Sequence, residues 1–328
     1  KQKTAYEIGV RLVGSEMCIR DIAAAGLKTD DYVDALYNDY KFNGKHYALP
    51  FARSTPLFYY NKAMWTAAGL PDRGPTTWDE FKEWAPKLAA VAGADKVALQ
   101  LADGSNYLDW YFQNMAWSMG GQLSKEWTAT ASDPKTVAAG QFLQDLAKNK
   151  WAKFSKSPDA EFSAGIAAAC LQSTGTLGGI TKNAKFEFGT AFLPGDGACP
   201  TGGAGVAIPA GLSDERKKNA VKFIEFLTNT ESTVTFTQAT GYMPVRKSAM
   251  DNADEKAFLE KNPRAKVAVQ QLSKTRSQDN ARVLVPGGGA RIGKALDQIV
   301  QGGDVATVFA ALDKETQAAI DSQIKPKL

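Results

Sequence analysis

From Tyr47 to Tyr60 the chain reads as one extended run, interrupted at Ser54-Thr55-Pro56, that passes at Asn61-Lys62 straight into a helix. Aromatic and β-branched density argues strand, and Pro50 and Pro56 limit which edges can pair because proline donates nothing to a ladder. Asn61 is a capping residue for a helix over 62–68, and Gly69 supplies its left-handed stop. A Pro/Gly turn (Pro71 to Pro75) leads to Thr77-Trp-Asp-Glu80, a capping box: the threonine hydroxyl serves the Glu80 amide and the glutamate reaches back. Behind it Trp78, Phe81, Trp84, Ala85 and Leu88 form one apolar stripe, which makes the two tryptophans core rather than cleft residues. The chain has no low-complexity linker, so any lobes it forms are expected to be joined by short strand-like crossings rather than by a floppy tether.

The remainder alternates short strands and helices. Strands are expected at 97–101, 166–171, 186–193 and 206–209. Asp133-Pro134 opens a helix to about Asn149 that buries Val137, Phe142, Leu143 and Leu146. Ser213 opens a helix over 214–227 whose Ala220, Val221, Phe223, Ile224, Phe226 and Leu227 face a core. Further helices are expected through 233–238, stopped at Gly241, through 267–272 after Asn262-Pro263, through 291–300 after Gly287-Gly-Gly289, and from Asp304 onward with Val305, Val308, Phe309, Leu312, Ala318 and Ile320 inside. The order is that of an α/β architecture with largely covered sheets.

At 328 residues, with 44% hydrophobic and 23% charged side chains, the length prior is about two domains. A net charge of +4 without a Lys/Arg-rich block lacks the electrostatic footprint of a nucleic-acid binder. No apolar run approaches the ~18 residues of a spanning helix. Three cysteines and one histidine, none in close pairs, leave no zinc-type metal site. Cys170 and Cys199, each beside a strand end, are either a disulfide in an oxidising compartment or two small buried thiols. His46 is expected at a surface strand edge.

Residues 4 to 21 stand apart. They resemble translated sequencing-adapter DNA, which leaves Cys18 without a role; the competing reading is an amphipathic segment, since Ile8, Leu12, Val13 and Met17 have helix-compatible spacing.

Pro50-Phe-Ala-Arg-Ser-Thr-Pro-Leu-Phe-Tyr-Tyr-Asn-Lys62, Thr77-Trp78, Ser173-Thr-Gly-Thr-Leu177, Gly202-Gly-Ala-Gly-Val206 and Thr240-Gly-Tyr-Met-Pro244, in that order, resemble the family 1 extracellular solute-binding proteins of ABC importers, in the branch that binds glycerol 3-phosphate. The resemblance runs from about residue 33 to 328. It implies a two-lobed α/β fold around a cleft: 1–58 and 203–274 in the first lobe, 59–202 and 275–328 in the second, with the first lobe incomplete at its amino-terminal end. It also implies a periplasmic or extracellular monomer that needs no cofactor, does no chemistry on its ligand and delivers it to a membrane permease.

The same resemblance carries ligand contacts over to Ser54, Ser173, Gly203, Tyr242 and Arg291. A phosphate wants several convergent donors, including a guanidinium fork and helix-start amides. Arg291 at a helix start sits against the macrodipole unless an anion is near, although the match around Gly287 to Arg291 needs a shift that would put Arg282 in its place. Each residue has a plain alternative: a strand irregularity for Ser54, a core aromatic for Tyr242, a turn for Gly203, a solvated surface arginine for Arg291. Trp110, within Tyr107-Leu-Asp-Trp-Tyr-Phe112, is the aromatic expected in the cleft, where a ring face suits a sugar or a choline head group.

The leading expectation is therefore a binding protein for glycerol 3-phosphate or a glycerophosphodiester. The alternative within that class is a neutral sugar or oligosaccharide. A glycoside hydrolase would need two carboxylates facing across a cleft, and Asp103, Asp109 and Asp159 lie in loops without a supporting pattern.

Overall fold

The structure, a computed structural model, describes residues 27–42 and 44–328; residues 4–21, with Cys18, lie outside them. The interrupted extended run is two strands, β1 (Leu49–Ser54) and β2 (Pro56–Asn61), divided at Thr55. Asn61 caps α1 (Lys62–Ala67) by accepting from the Met64 amide at 3.2 Å. Next come α2 (Trp78–Ala92), β3 (Val97–Ala102), α3 (Leu108–Ser118), α4 (Pro134–Lys148), β4 (Ala152–Ser155), α5 (Pro158–Ser163), β5 (Ala167–Ser173), α6 (Leu177–Asn183) and β6 (Phe188–Ala191). The chain continues through β7 (Cys199–Pro200), β8 (Gly202–Val206), α7 (Asp214–Leu227), α8 (Thr230–Thr240), α9 (Ala253–Lys261), α10 (Pro263–Gln270) and β9 (Thr275–Arg276). It ends with α11 (Asn280–Val283), α12 (Gly288–Val300) and α13 (Val305–Ala319).

The larger lobe is built on a five-stranded sheet in the order β6-β2-β5-β3-β4. β3 runs parallel to both β4 and β5, and β2 runs antiparallel to β5 and β6. One face carries the α2 stripe: Trp78, Phe81, Trp84, Ala85 and Leu88 are all buried there, in one core with Phe112, Phe142, Leu296 and Phe309 from α3, α4, α12 and α13. Each large apolar side chain so removed from water contributes roughly 1.5–3 kcal/mol. The other face holds Leu57, Tyr59, Cys170 and Phe188 against Phe162, Leu177, Ile180 and Ala268 of α5, α6 and α10. The smaller lobe has its own core of Leu27, Tyr32, Leu36, Leu49, Ile208, Ile224, Met243, Val245 and Leu272. Its two-stranded sheet pairs β1 with β8 antiparallel, Ser54 opposite Gly202.

Some expectations change. The strand expected at 206–209 lies at Gly202–Val206, because its ladder is dictated by β1. In α7 Ile224 is the buried residue, while Phe223 and Phe226 are 60% and 66% exposed; Val137 in α4 is only partly buried. The capping box is half made: Thr77 accepts from the Glu80 amide at 3.1 Å, but the Glu80 carboxylate turns to the Thr76 amide and the Arg73 guanidinium. Cys170 and Cys199 are free, buried thiols in different cores, which excludes the disulfide. His46 is half-buried and stacks on Tyr37 at 3.7 Å.

Candidate functional site

Three stretches join the lobes side by side. The first is Ser54-Thr55-Pro56 between β1 and β2. The second is Thr201, between β7 and β8. The third follows β9, which lies parallel to β7, and the Thr201 amide donates to the Arg276 carbonyl at 3.1 Å. Around them gather the loops that leave the carboxyl ends of β3 and β5. In open α/β sheets that edge is where crevices form, since the connections there diverge.

The β5 end supplies Ser173. Its Oγ accepts from the Gly175 amide at 3.2 Å, its carbonyl accepts from Tyr59 Oη at 2.9 Å, and the Thr174 amide donates to Thr55 O at 2.9 Å. This loop is therefore fastened to the first crossing. A side chain at Gly175 would collide with the Tyr242 ring, which reaches it from the smaller lobe. Tyr242 is half-buried, stacks on Phe236 at 5.4 Å, and has its phenol pushed up by burial and then by Tyr107. Met243, the next residue, donates its amide to Arg53 O at 2.7 Å and so ties Tyr242 to β1.

The β3 end supplies the loop 103–107 and then α3. Asp297 of α12 accepts from the Gly104 amide at 2.8 Å and fixes that loop. Trp110 is buried: its indole lies against Gly202 and donates Nε1–H to Thr201 O at 2.9 Å. The ring offered to solvent is Tyr107, 45% exposed and edge-on to Trp110 at 6.2 Å. Ser54 is 2% exposed opposite Gly202, and Gly203 is exposed at φ +87°, with the Ala52 carbonyl where a Cβ would stand. Gly203 is thus obligatory for backbone reasons whatever it binds.

The two arginines part company. Arg291, at the start of α12, donates to the Pro286 carbonyl at 3.0 Å and lies 4.0 Å from Glu315 of α13, so its helix-start charge is answered locally. Arg282 of α11 comes to the residue beside Trp110: its Nε is 2.8 Å from Asp109 Oδ2, and both side chains are buried. Burial pushes the Asp109 carboxyl up, and the Arg282 guanidinium offsets only part of that rise. Asp279, three residues earlier, also has its carboxyl pushed up by burial; it accepts from Trp117 Nε1 at 3.1 Å and from the Leu123 amide at 2.7 Å.

Ser54, Ser173, Gly203, Tyr242 and Trp110 thus converge on the crossings, joined by Tyr107 and Arg282, while Arg291 does not. Tyr107 lay in the same aromatic run as Trp110, but which ring faces out depends on how α3 rolls against β8. One surface groove, lined by Asp159, Ser163, Asn183 and Lys185, lies apart from these residues, and a second, lined by Phe51, Phe226, Leu227 and Phe236, reaches Tyr242 through the stacked Phe236 ring. Among the described residues no group of three or more His, Cys, Asp or Glu side chains is placed to hold a metal ion, and no helix is long and apolar enough to cross a membrane.

The family model for "Bacterial extracellular solute-binding protein" matches residues 10–267. The sn-glycerol-3-phosphate-binding periplasmic protein UgpB of Escherichia coli K12 is 30% identical over 81% of the chain, and the chain spans 66% of that relative's length. UgpB from Mycobacterium tuberculosis, solved in complex with glycerophosphocholine, is 49% identical with a TM-score of 0.92, over 96% of this chain and 82% of that one. The cyclic alpha-maltosyl-1,6-maltose binding protein from Arthrobacter globiformis shares the fold, at 22% identity and TM-score 0.80, over 95% of this chain and 83% of that one.

Proposed function

The chain belongs to the bacterial extracellular solute-binding proteins, and from that premise we propose that it captures glycerol 3-phosphate or a glycerophosphodiester between its lobes for an ABC importer. The observation that carries this is the convergence, at three adjacent crossings, of hydroxyls from both lobes (Ser54, Ser173, Tyr242) with a buried guanidinium, Arg282. A phosphate ester needs donors aimed at its oxygens and a fork-shaped cation. Tyr107 is the exposed aromatic beside them, available to the far end of a diester. Ligand contacts on both lobes favour the shut arrangement, so binding closes the hinge.

The lobes are proposed to be residues up to 55 with 202–276, and 56–201 with 277–328, the last boundary falling at the crossing after β9. Residues 263–271 lie against the larger lobe's sheet, since Ala268 packs on it, Thr190 donates to the Arg264 carbonyl at 3.0 Å and Gln271 donates to the Pro56 carbonyl, while Leu272 belongs to the smaller lobe's core. The protein is proposed to act as a monomer outside the cytoplasm, with the permease as its macromolecular partner, no nucleic acid, and no reaction of its own.

Isothermal titration with glycerol 3-phosphate and with glycerophosphocholine tests the ligand. Micromolar binding of either supports it; flat traces for both refute the phosphate assignment. A neutral oligosaccharide is the second reading, favoured by the aromatic group Tyr107, Trp110 and Tyr242. It predicts that maltooligosaccharides bind and that Arg282→Gln leaves their affinity unchanged.

A further inference from the structure

Asp39 stands outside every site residue named so far, yet it joins two of the three crossings. It lies in the turn Asn38–Tyr40, beside Leu36 of the smaller lobe's core. Its Oδ2 accepts from Arg53 Nη2, the residue before Ser54 in the first crossing. Its Oδ1 accepts from Ser277 Oγ at 2.6 Å, in the third crossing. Arg53 is 4% exposed and is held from a second side by Tyr40, whose hydroxyl accepts from Nη1 at 2.8 Å and whose ring lies 5.1 Å from the guanidinium.

Ser277 belongs mechanically to the other lobe. Two residues on, the Asp279 amide donates to Gln113 Oε1 at 2.9 Å and its carboxylate holds the Leu123 amide, while Ala281 is part of the larger lobe's core. The Asp39–Ser277 bond therefore spans the lobes directly. It is made in the arrangement in which Tyr242 abuts Gly175 and in which 96% of the chain matches the glycerophosphocholine-bound neighbour with a TM-score of 0.92.

We propose that Asp39 is an interlobe latch: its carboxylate, held in place by Arg53, receives Ser277 when the lobes come together and so sets how much of the free protein is already shut. A hydrogen bond to a charged group is among the stronger ones. An equilibrium between open and shut forms transmits such a bond to ligand affinity, because only the shut fraction is competent. Asp39 is a positioning residue here, acting without touching the ligand.

Ser277 is exposed, so Ser277→Ala removes the latch bond while leaving the cores intact, and Ser277→Thr keeps the hydroxyl. Asp39→Asn additionally weakens the hold on Arg53. Spin labels at Lys148→Cys on α4 and Lys218→Cys on α7, in a Cys18→Ser background whose other cysteines are buried, report the interlobe distance without ligand. The expected result is a longer, broader distance distribution for S277A and D39N, restored by S277T, together with glycerophosphocholine affinity about threefold to tenfold weaker in S277A and weaker still in D39N. Unchanged distances in both variants overturn the latch. The affinity arm rests on the ligand proposed above. If the wild-type chain binds neither glycerophosphocholine nor glycerol 3-phosphate, that proposal falls, and the distances alone decide the latch.

Discussion

At the scale of single residues, Arg282 and Arg291 show how much is decided by what stands next to a charge. Both follow the third crossing in sequence, and both are arginines near a helix start. One is answered by a backbone carbonyl and Glu315; the other reaches a buried carboxylate beside the crossings. Arg282→Gln is expected to weaken binding of the phosphate ligand by about a hundredfold or more, whereas Arg291→Gln changes it by less than about twofold; titration calorimetry on the two variants separates them. Removing Arg282 alone also leaves Asp109 unpaired inside the protein, a loss of about 3–5 kcal/mol of stability. Adding Asp109→Asn removes the second charge, so the double variant is expected to regain much of that stability in a denaturant melt without regaining phosphate affinity. Equal affinity losses at the two arginines would contradict the geometry.

Among the elements, the start of α2 offers a test by pH. Arg73 grips Glu80 with both nitrogens, at 2.9 and 2.6 Å, and the Thr76 amide adds a bond at 2.6 Å. The Arg73 hydrogen bonds, chiefly, pull the Glu80 carboxyl down to about 2. A depressed carboxyl stabilises the fold fully above its unfolded value near ~4.3 and loses that contribution as pH falls through the folded value. Wild type is therefore expected to exceed Glu80→Gln by on the order of 1 kcal/mol at neutral pH, with the gap closing between about pH 4.5 and 2. A gap constant over that range in urea melts would show that the pair is idle. The α7 helix teaches a different lesson. Its sequence offers two neighbouring apolar stripes, and periodicity alone cannot say how wide a face the core will accept. The described structure takes the one centred on Ile224 and leaves Phe223 and Phe226 at the surface.

For the molecule as a whole, closure around a ligand is a thermodynamic statement. A solute that binds only the folded, shut form stabilises it by about 2.7 kcal/mol at a hundred times its dissociation constant. For a protein of this size that corresponds to a rise in Tm of roughly 3–5 °C. Glycerophosphocholine is expected to produce such a rise in scanning fluorimetry and an unrelated neutral sugar none. A rise with maltooligosaccharides instead would favour the second reading of the site. A small ligand at the proposed site would act on both lobes, because their three crossings lie within hydrogen-bond reach of one another and contacts made there bear on the hinge itself.

The amino-acid order by itself determined the local pieces: Asn61 and Thr77 as caps, the α2 stripe, the break in the extended run at Ser54-Thr55-Pro56, and the α/β alternation with its motif-borne family resemblance. These depend on propensities and spacings within a few residues, which any reader of the chain can inspect. The tertiary structure alone decided which arginine pairs with Asp109 beside the crossings, that Trp110 is buried while Tyr107 faces out, that the two cysteines lie in separate cores, and that Asp39 meets Ser277. Those outcomes turn on the register of β1 against β8 and on how helices roll onto a sheet. Both are settled by contacts between residues far apart in sequence, where spacing carries no information.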